Sequence, residues 1–337
     1  MPARARRRLE LTRTDRIAGG ILTIAGIAPV AGLAFLAYEM FKSAYPAIVF
    51  NGWGFFTGKI FSLGNLYGGA DEVRHGYHAA SGAHYGILPL IFGTLVCSLI
   101  ALAIALPVSV GGAILLVEKI PQRFQYSLGV FLDLLAGIPS VIFGLWGLYT
   151  LGPLLARNVY PLLADLHIPW IKRPVGSGQG LLTASVVLAV MVIPIIASIT
   201  RELVRSVPAT AKEGAIGLGL TSSEMVRVVT LPYIRTGVIA ATILGWGRAL
   251  GETIAVLIIS GNFLNAYPHS VFAPFSTMAA TIASFLDGAL TDSTKMGIHS
   301  LAELGLVLLG ITLITNFGGR LLTRRFADTG LPVGRGV

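Results

Sequence analysis

Arg248 and Glu252 stand four residues apart in Gly247-Arg248-Ala249-Leu250-Gly251-Glu252-Thr253, with uncharged and largely apolar sequence on both sides. Each charge costs about 2.5–3.5 kcal/mol at the centre of a membrane helix, so both are expected to face protein or water. On a continuous helix the i, i+4 spacing places them on one face, where they pair. Two chemistries fit such a pair. As a structural lock it fastens one helix to a neighbour, which the Gly-x3-Gly step of Gly247 and Gly251 admits closely. As a ligand site, Arg248 offers a guanidinium fork to a tetrahedral oxyanion while Glu252 orients the fork and competes for it, keeping binding weak enough for release. Charge alone does not separate the two.

Bond-making chemistry is not expected of this chain. No nucleophile stands at a recognised spacing from a base, and no metal-ligand pair falls inside an apolar stretch. His75, His78 and His84 have no Cys beside them and no i, i+4 partner, so they read as an ordinary polar loop and no metal is expected. Cys97, the sole cysteine, lies mid-span as a packing residue. No Gly-x4-Gly-Lys-Ser/Thr occurs, so the chain supplies no P-loop of its own.

The elements that must position these residues are membrane helices. Of 337 residues, 54% are hydrophobic and 12% charged, too much apolar surface for one soluble core. Windows of about 20 apolar residues fall at 17–38, 88–117, 128–155, 181–200, 236–259 and 296–322. The first has no Ala-x-Ala cleavage site after it and reads as a retained helix. With the N-terminus inside, 17 of the 25 Lys and Arg fall on the cytoplasmic side, so both termini are expected there. That asymmetry accounts for the net charge of +9 without nucleic acid. The expected division is a basic arm at 1–16, a first span at 17–41, an outside segment at 42–86, the transmembrane domain at 87–325 and a cytoplasmic tail at 326–337. The outside segment is long enough for a short helix or hairpin. Pro107 suggests a kink, tilt or break in the second span, and Gly137-Ile138-Pro139-Ser140 a break in the third, each a candidate wall of a pathway. A second outside loop, 154–180, is expected to be mostly irregular, and 272–286, broken by Pro274, to be a re-entrant or surface helix.

One insert, 201–235, is polar and cytoplasmic on this reading. Pro208 suits a first helical position and Gly217 and Gly219 a stop, while Thr221 and Glu224 form a Thr-x-x-Glu capping box for a second short helix. Pro232 is expected to force a break before the fifth span. Ala209, Ala211, Gly214 and Ala215 are small, which lets another protein come close; a solvated linker has no need of that pattern.

The string Glu213-Gly214-Ala215, Gly219, Val229-x-Leu231-Pro232 resembles the EAA loop of ABC importer permeases, E-A-A-x3-G-x9-I-x-L-P, departing at Gly214 and Val229. Leu244 to Val256 resembles the G-R-A-x-G-E-T-x-A-V stretch of phosphate importer permeases, and Leu135 to Leu145 their L-x-G-I-P-S-V-x-x-G-L segment. The Ala255-Val256 ending and the long first outside segment are more similar to the PstC-type subunit than to PstA. The resemblance implies an all-α, six-helix fold of the MetI-like type I importer class in the bacterial inner membrane. It implies a PstA-type permease partner, two copies of a PstB-type ATPase and a PstS-type phosphate-binding protein. ATP and Mg would sit on the ATPase, and this chain would bind no cofactor. Residues Ala209, Lys212, Glu213, Gly214, Ala215, Gly219, Thr221, Glu224, Leu231 and Pro232 would form the coupling loop, and Arg248 and Glu252 would line or gate the path. Alternatives are a permease for sulfate or molybdate and a stand-alone secondary transporter.

Overall fold

The computed structural model describes residues 13–166, 168–171, 176–265 and 267–327. The remainder of the expected basic arm and tail, and Lys172 and Arg173 of the second outside loop, lie outside the described residues. Among the described residues five helices are long and apolar enough to span a membrane, and a helix pair bent by 91° makes a sixth apolar stretch of that length.

The first helix, α1 (Arg13–Asn51), has 39 residues, about 58 Å at 1.5 Å per residue and well beyond a hydrocarbon core of about 30 Å. The helix therefore continues past the expected end of the first span at 41. Ala44, Ala47 and Phe50 recur every third residue and are buried, Ala47 and Phe50 in a cluster shared with Leu301 and Leu304 of the last helix. Tertiary packing extends the helix past the point where its apolar run stops. Beyond it come α2 (Gly54–Thr57) and two antiparallel strand pairs, β1 (Phe61–Ser62) with β4 (His84–Tyr85), and, between them in sequence, the hairpin β2 (Glu72–Arg74) with β3 (Tyr77–Ala79). The outside segment thus holds both of the structures its length allowed.

The second span is α3 (Leu88–Glu118), which runs unbroken through Pro107. The third is α4 (Gln122–Ala136) and α5 (Ser140–Trp146), bent where Gly137-Ile138-Pro139 was expected to break it. A π turn at Gly147–Leu151 follows, then α6 (Gly152–Asn158) and α7 (Tyr160–Ala164). The start of the 154–180 loop is therefore helical: Pro161 falls at the first turn of α7, where a missing N–H costs nothing, and Tyr160 is buried on Phe272 with ring centroids 4.4 Å apart.

The central helix is α8 (Leu181–Arg205), packed along α3 through Ala101, Ala105, Ala184 and Ala189. Small side chains let the two backbones approach, the usual substitute for hydrophobic drive inside lipid. Ser109 Oγ donates to Ile193 O at 3.1 Å across this contact.

After α8 come α9 (Ala209–Gly217), α10 (Ser222–Met225), a π turn at Val226–Thr230, and α11 (Leu231–Leu250). Pro232 does not break the chain: one helix runs from Ser222 to Leu250. The wide turn before it spreads the carbonyls that a proline ring would otherwise strike. The same device precedes Pro153, which follows the other π turn. The expected fifth span, 236–259, is displaced toward its N-terminus, because the helix stops at Leu250 and α12 (Ile254–Ile259) is separate.

α13 (Met278–Thr291) starts later than the expected 272–286, since Thr277 is its cap and accepts from Ala280 N at 3.3 Å. It packs on the β1–β4 strand pair through Phe285 and Phe61, centroids 5.5 Å apart. Asp292 then accepts from Gly297 N at 2.8 Å at the start of α14 (Met296–Ala327), the last span.

Candidate pathway break and coupling elbow

Arg248 occupies the last turn of α11, where a cation is favoured by the exposed carbonyls. Gly251 closes the helix, its N–H bonding Arg248 O at 3.2 Å, and Glu252 follows beyond the end. The expected i, i+4 pair is therefore absent: the helix has stopped before the second partner, and Glu252 leaves the α11 face. Arg248 is exposed and Glu252 half-buried, and among the described residues the guanidinium has no hydrogen-bond or ion-pair partner. The lock reading loses its contact. What remains at this site is an unneutralised fork of five donors on a fixed helix end.

The helix is held in place nearby. Trp246 Nε1 donates to Ser98 Oγ of α3 at 3.1 Å, and a Cβ on Gly247 would stand 3.4 Å from the Asn316 side chain of α14. Half of the Gly-x3-Gly expectation holds: Gly247 faces a second helix, whereas Gly251 faces only α11 carbonyls.

The break at 251–253 lies beside the other one. A Cβ on Gly144 of α5 would lie 3.1 Å from Ala255 Cα of α12, so glycine is what allows these short helices to touch. The two segments singled out by resemblance, over a hundred residues apart, thus meet in space. Non-helical backbone at membrane depth is tolerated where it is buried or lines a water-filled cavity.

At the other candidate site, α9 forms the tip of an elbow. It begins one residue after Pro208, and it ends in paired reverse bonds, Gly219 N to Ile216 O at 2.9 Å and Leu220 N to Ala215 O at 3.2 Å. These need a left-handed residue, which Gly219 supplies with φ of +89°. The capping box forms as expected: Thr221 N donates to Glu224 Oε2 at 2.8 Å and Glu224 N to Thr221 Oγ1 at 3.4 Å. Ala209, Ala211, Glu213 and Gly214 are exposed, and Ala215 is buried. A Cβ on Gly214 would meet nothing within 4 Å. Lys212 turns inward, with Nζ 2.7 Å from Glu118 Oε1 of α3. Leu231 and Pro232 sit on the exposed first turn of α11.

Sequence reasoning missed Ile216 and Leu218, which are 53% and 85% exposed at the elbow tip. Two bare aliphatic side chains within a polar insert were the available signal, since such pairs mark contact surfaces. It also missed Glu118, whose signal was an acid at a helix C-terminus.

The hydrogen bonds from Thr221 hold the Glu224 carboxyl below its ordinary range, helped by the nearby Arg227 charge. A lowered folded value means that the cap is fully present above the unfolded value, about 4.3 for Glu, and is lost as pH falls through the lower folded value. Amide exchange at Thr221, whose N–H donates to that carboxylate at 2.8 Å, is expected to stay protected down to the ordinary Glu value of about 4.3 and to lose protection only below it. Loss of protection already at pH 6 would contradict the cap.

Two discontinuous helices whose short segments pack together, a cation without an ion-pair partner among the described residues at one break, and a small-residue elbow are features of an importer's membrane component. The pattern of the family described as "Binding-protein-dependent transport system inner membrane component" matches residues 109–328, and the chain belongs to that family. Within it, the chain is 47% identical over 93% of its length to "Phosphate transport system permease protein PstC 1" of Mycobacterium tuberculosis, covering 94% of that protein. It is 36% identical to the PstC of Pasteurella multocida, with 95% of this chain and 97% of that one covered. The MetNI methionine ABC transporter, solved in inward-facing conformations, gives a TM-score of 0.50 at 16% identity, covering 71% of this chain and 95% of that one. That likeness shows the MetI-like fold, and the chain is a multi-pass membrane protein.

Proposed function

We propose that this chain is one half of an ATP-driven importer for inorganic phosphate in a bacterial cytoplasmic membrane. Both termini and the elbow lie in the cytoplasm, as the distribution of Lys and Arg favours. The partners are a second permease of PstA type, a PstB-type ATPase dimer and a PstS-type phosphate-binding protein on the outer face. The division into a basic arm, a first span, an outside segment, a transmembrane domain and a tail carries over, with the first helix extended to Asn51.

The single observation that carries the substrate is Arg248 at the α11 break, without an ion-pair partner among the described residues; the naming of relatives matched over more than nine-tenths of both chains supports it. A guanidinium at a helix end offers paired N–H groups to the oxygens of a tetrahedral anion. Glu252, beyond the break, is placed to repel that anion and speed its release. At the elbow, Ala209, Glu213, Gly214, Ile216 and Leu218 receive the ATPase. Closure of the ATPase moves the elbow and thereby the α11 break that borders the path. The ATPase supplies ATP hydrolysis, with its Mg; this chain binds no cofactor.

The test is uptake of labelled phosphate in a strain lacking other phosphate systems. Deletion is expected to abolish uptake, with sulfate and molybdate failing to compete at tenfold excess. Undiminished uptake after deletion contradicts the proposal, and competition by sulfate or molybdate transfers it to another oxyanion. Ion-coupled flux from the chain alone in liposomes would indicate a secondary transporter instead.

A further inference from the structure

Glu118 is an acid at the disfavoured end of a helix. It closes α3, where unsatisfied carbonyls concentrate negative potential. The compensating cation comes from another element: Lys212 of α9 stands 2.7 Å away, and the Glu118 side chain is only 11% exposed and that of Lys212 18%. Thr230 Oγ1, in the π turn ahead of α11, donates to the same carboxylate oxygen at 3.5 Å. Lys212 Nζ also donates to Val204 O, near the end of α8, at 3.3 Å. One ion pair therefore touches α3, α8, α9 and the turn that leads into α11.

The rest of α9 is held weakly. Ala215 is its one buried side chain, while Ala209, Thr210, Ala211, Glu213, Gly214, Ile216 and Gly217 are exposed. A small helix so exposed transmits displacement only through the contacts that tie it down. An enclosed pair suits this task better than a surface pair, because solvent and salt screen it less.

The geometry points to Glu118 as a positioning residue: through Lys212 its carboxylate is the strut that passes displacement of α9 to α3, α8 and α11 together. This rests on the reading of α9 as the ATPase contact. The ends of α8 and α3 meet at the node, and α11 carries Arg248 at its far end, so one push at the elbow reaches both walls of the candidate path.

The test uses the full complex of both permeases and the ATPase in nanodiscs with the loaded binding protein. Phosphate moved per ATP hydrolysed is measured for Glu118→Gln, Lys212→Met, Glu118→Asp and the exchange Glu118→Lys with Lys212→Glu. Glu118→Gln and Lys212→Met are expected to assemble and hydrolyse ATP, with at least a tenfold drop in phosphate per ATP. The exchange is expected to recover at least half of the wild-type ratio, and Glu118→Asp to stay within threefold of wild type. A purely architectural role would lower complex yield and Tm with the ratio unchanged, and that result overturns the strut. So does an exchanged variant that assembles yet keeps the ratio of the single variants; if the exchange does not fold, equal ratios for Glu118→Asp and Glu118→Gln do the same. Failure of the unmutated chain to capture the ATPase overturns the reading of α9 itself, and the strut with it.

Discussion

Arg248→Ala is expected to reduce phosphate transport by roughly 10- to 1,000-fold while leaving assembly intact. A hydrogen bond to a charged group contributes about 1.5–3 kcal/mol and a tenfold change is about 1.4 kcal/mol, so a fork making one or two such bonds gives about that range. Stability should barely move, within about 0.5 kcal/mol, because the side chain is exposed and packs on nothing that depends on it. Arg248→Lys should recover only part of the rate, since an ammonium keeps the charge but loses the planar fork. The exchange Arg248→Glu with Glu252→Arg is expected to fail, as the residues do not pair and the helix ends between them. Full rescue by that exchange would restore the lock reading and remove Arg248 from the path. Transport assays on complexes of verified composition separate these results.

The second large effect is expected at the elbow tip. Leu218→Asp places a charge where an apolar side chain 85% exposed now stands, and Gly214→Trp fills space that is empty in this chain. Neither disturbs a contact within the fold, so both should insert and fold as the unmutated chain does. Both should lose the ATPase on purification, with affinity down at least 30-fold, since centrally placed contacts of this kind are worth about 2 kcal/mol or more. Wild-type retention of the ATPase by both variants would place the contact elsewhere.

Much of this architecture was legible because the membrane imposes length and hydrophobicity on each span. The third span's break at Gly137-Ile138-Pro139 and the capping box at Thr221 and Glu224 are local rules obeyed locally. The misreadings share a cause. Pro232 breaks nothing, because the π turn ahead of it absorbs the strain, and no local rule carries that information. The end of α1 is set by packing on α14, not by its own composition. Arg248 and Glu252 show the limit most clearly: spacing placed them on one face only if the helix continued, and Gly251 ends it. The inward turn of Lys212 onto Glu118 joins residues 94 positions apart and was open to no pattern within the loop.

The central claim is that α9 takes force from a nucleotide-driven partner. Cys97, the sole cysteine, is buried, so a cysteine introduced at Ala211 is the single accessible thiol of this chain and leaves the native residue silent. With a short bifunctional crosslinker in membranes carrying the whole system, Ala211→Cys is expected to capture the ATPase, at a yield that changes between nucleotide-free and ATP-bound states. A complex that transports phosphate yet gives no such crosslink, while thiol labelling shows the cysteine to be shielded elsewhere, would contradict the account.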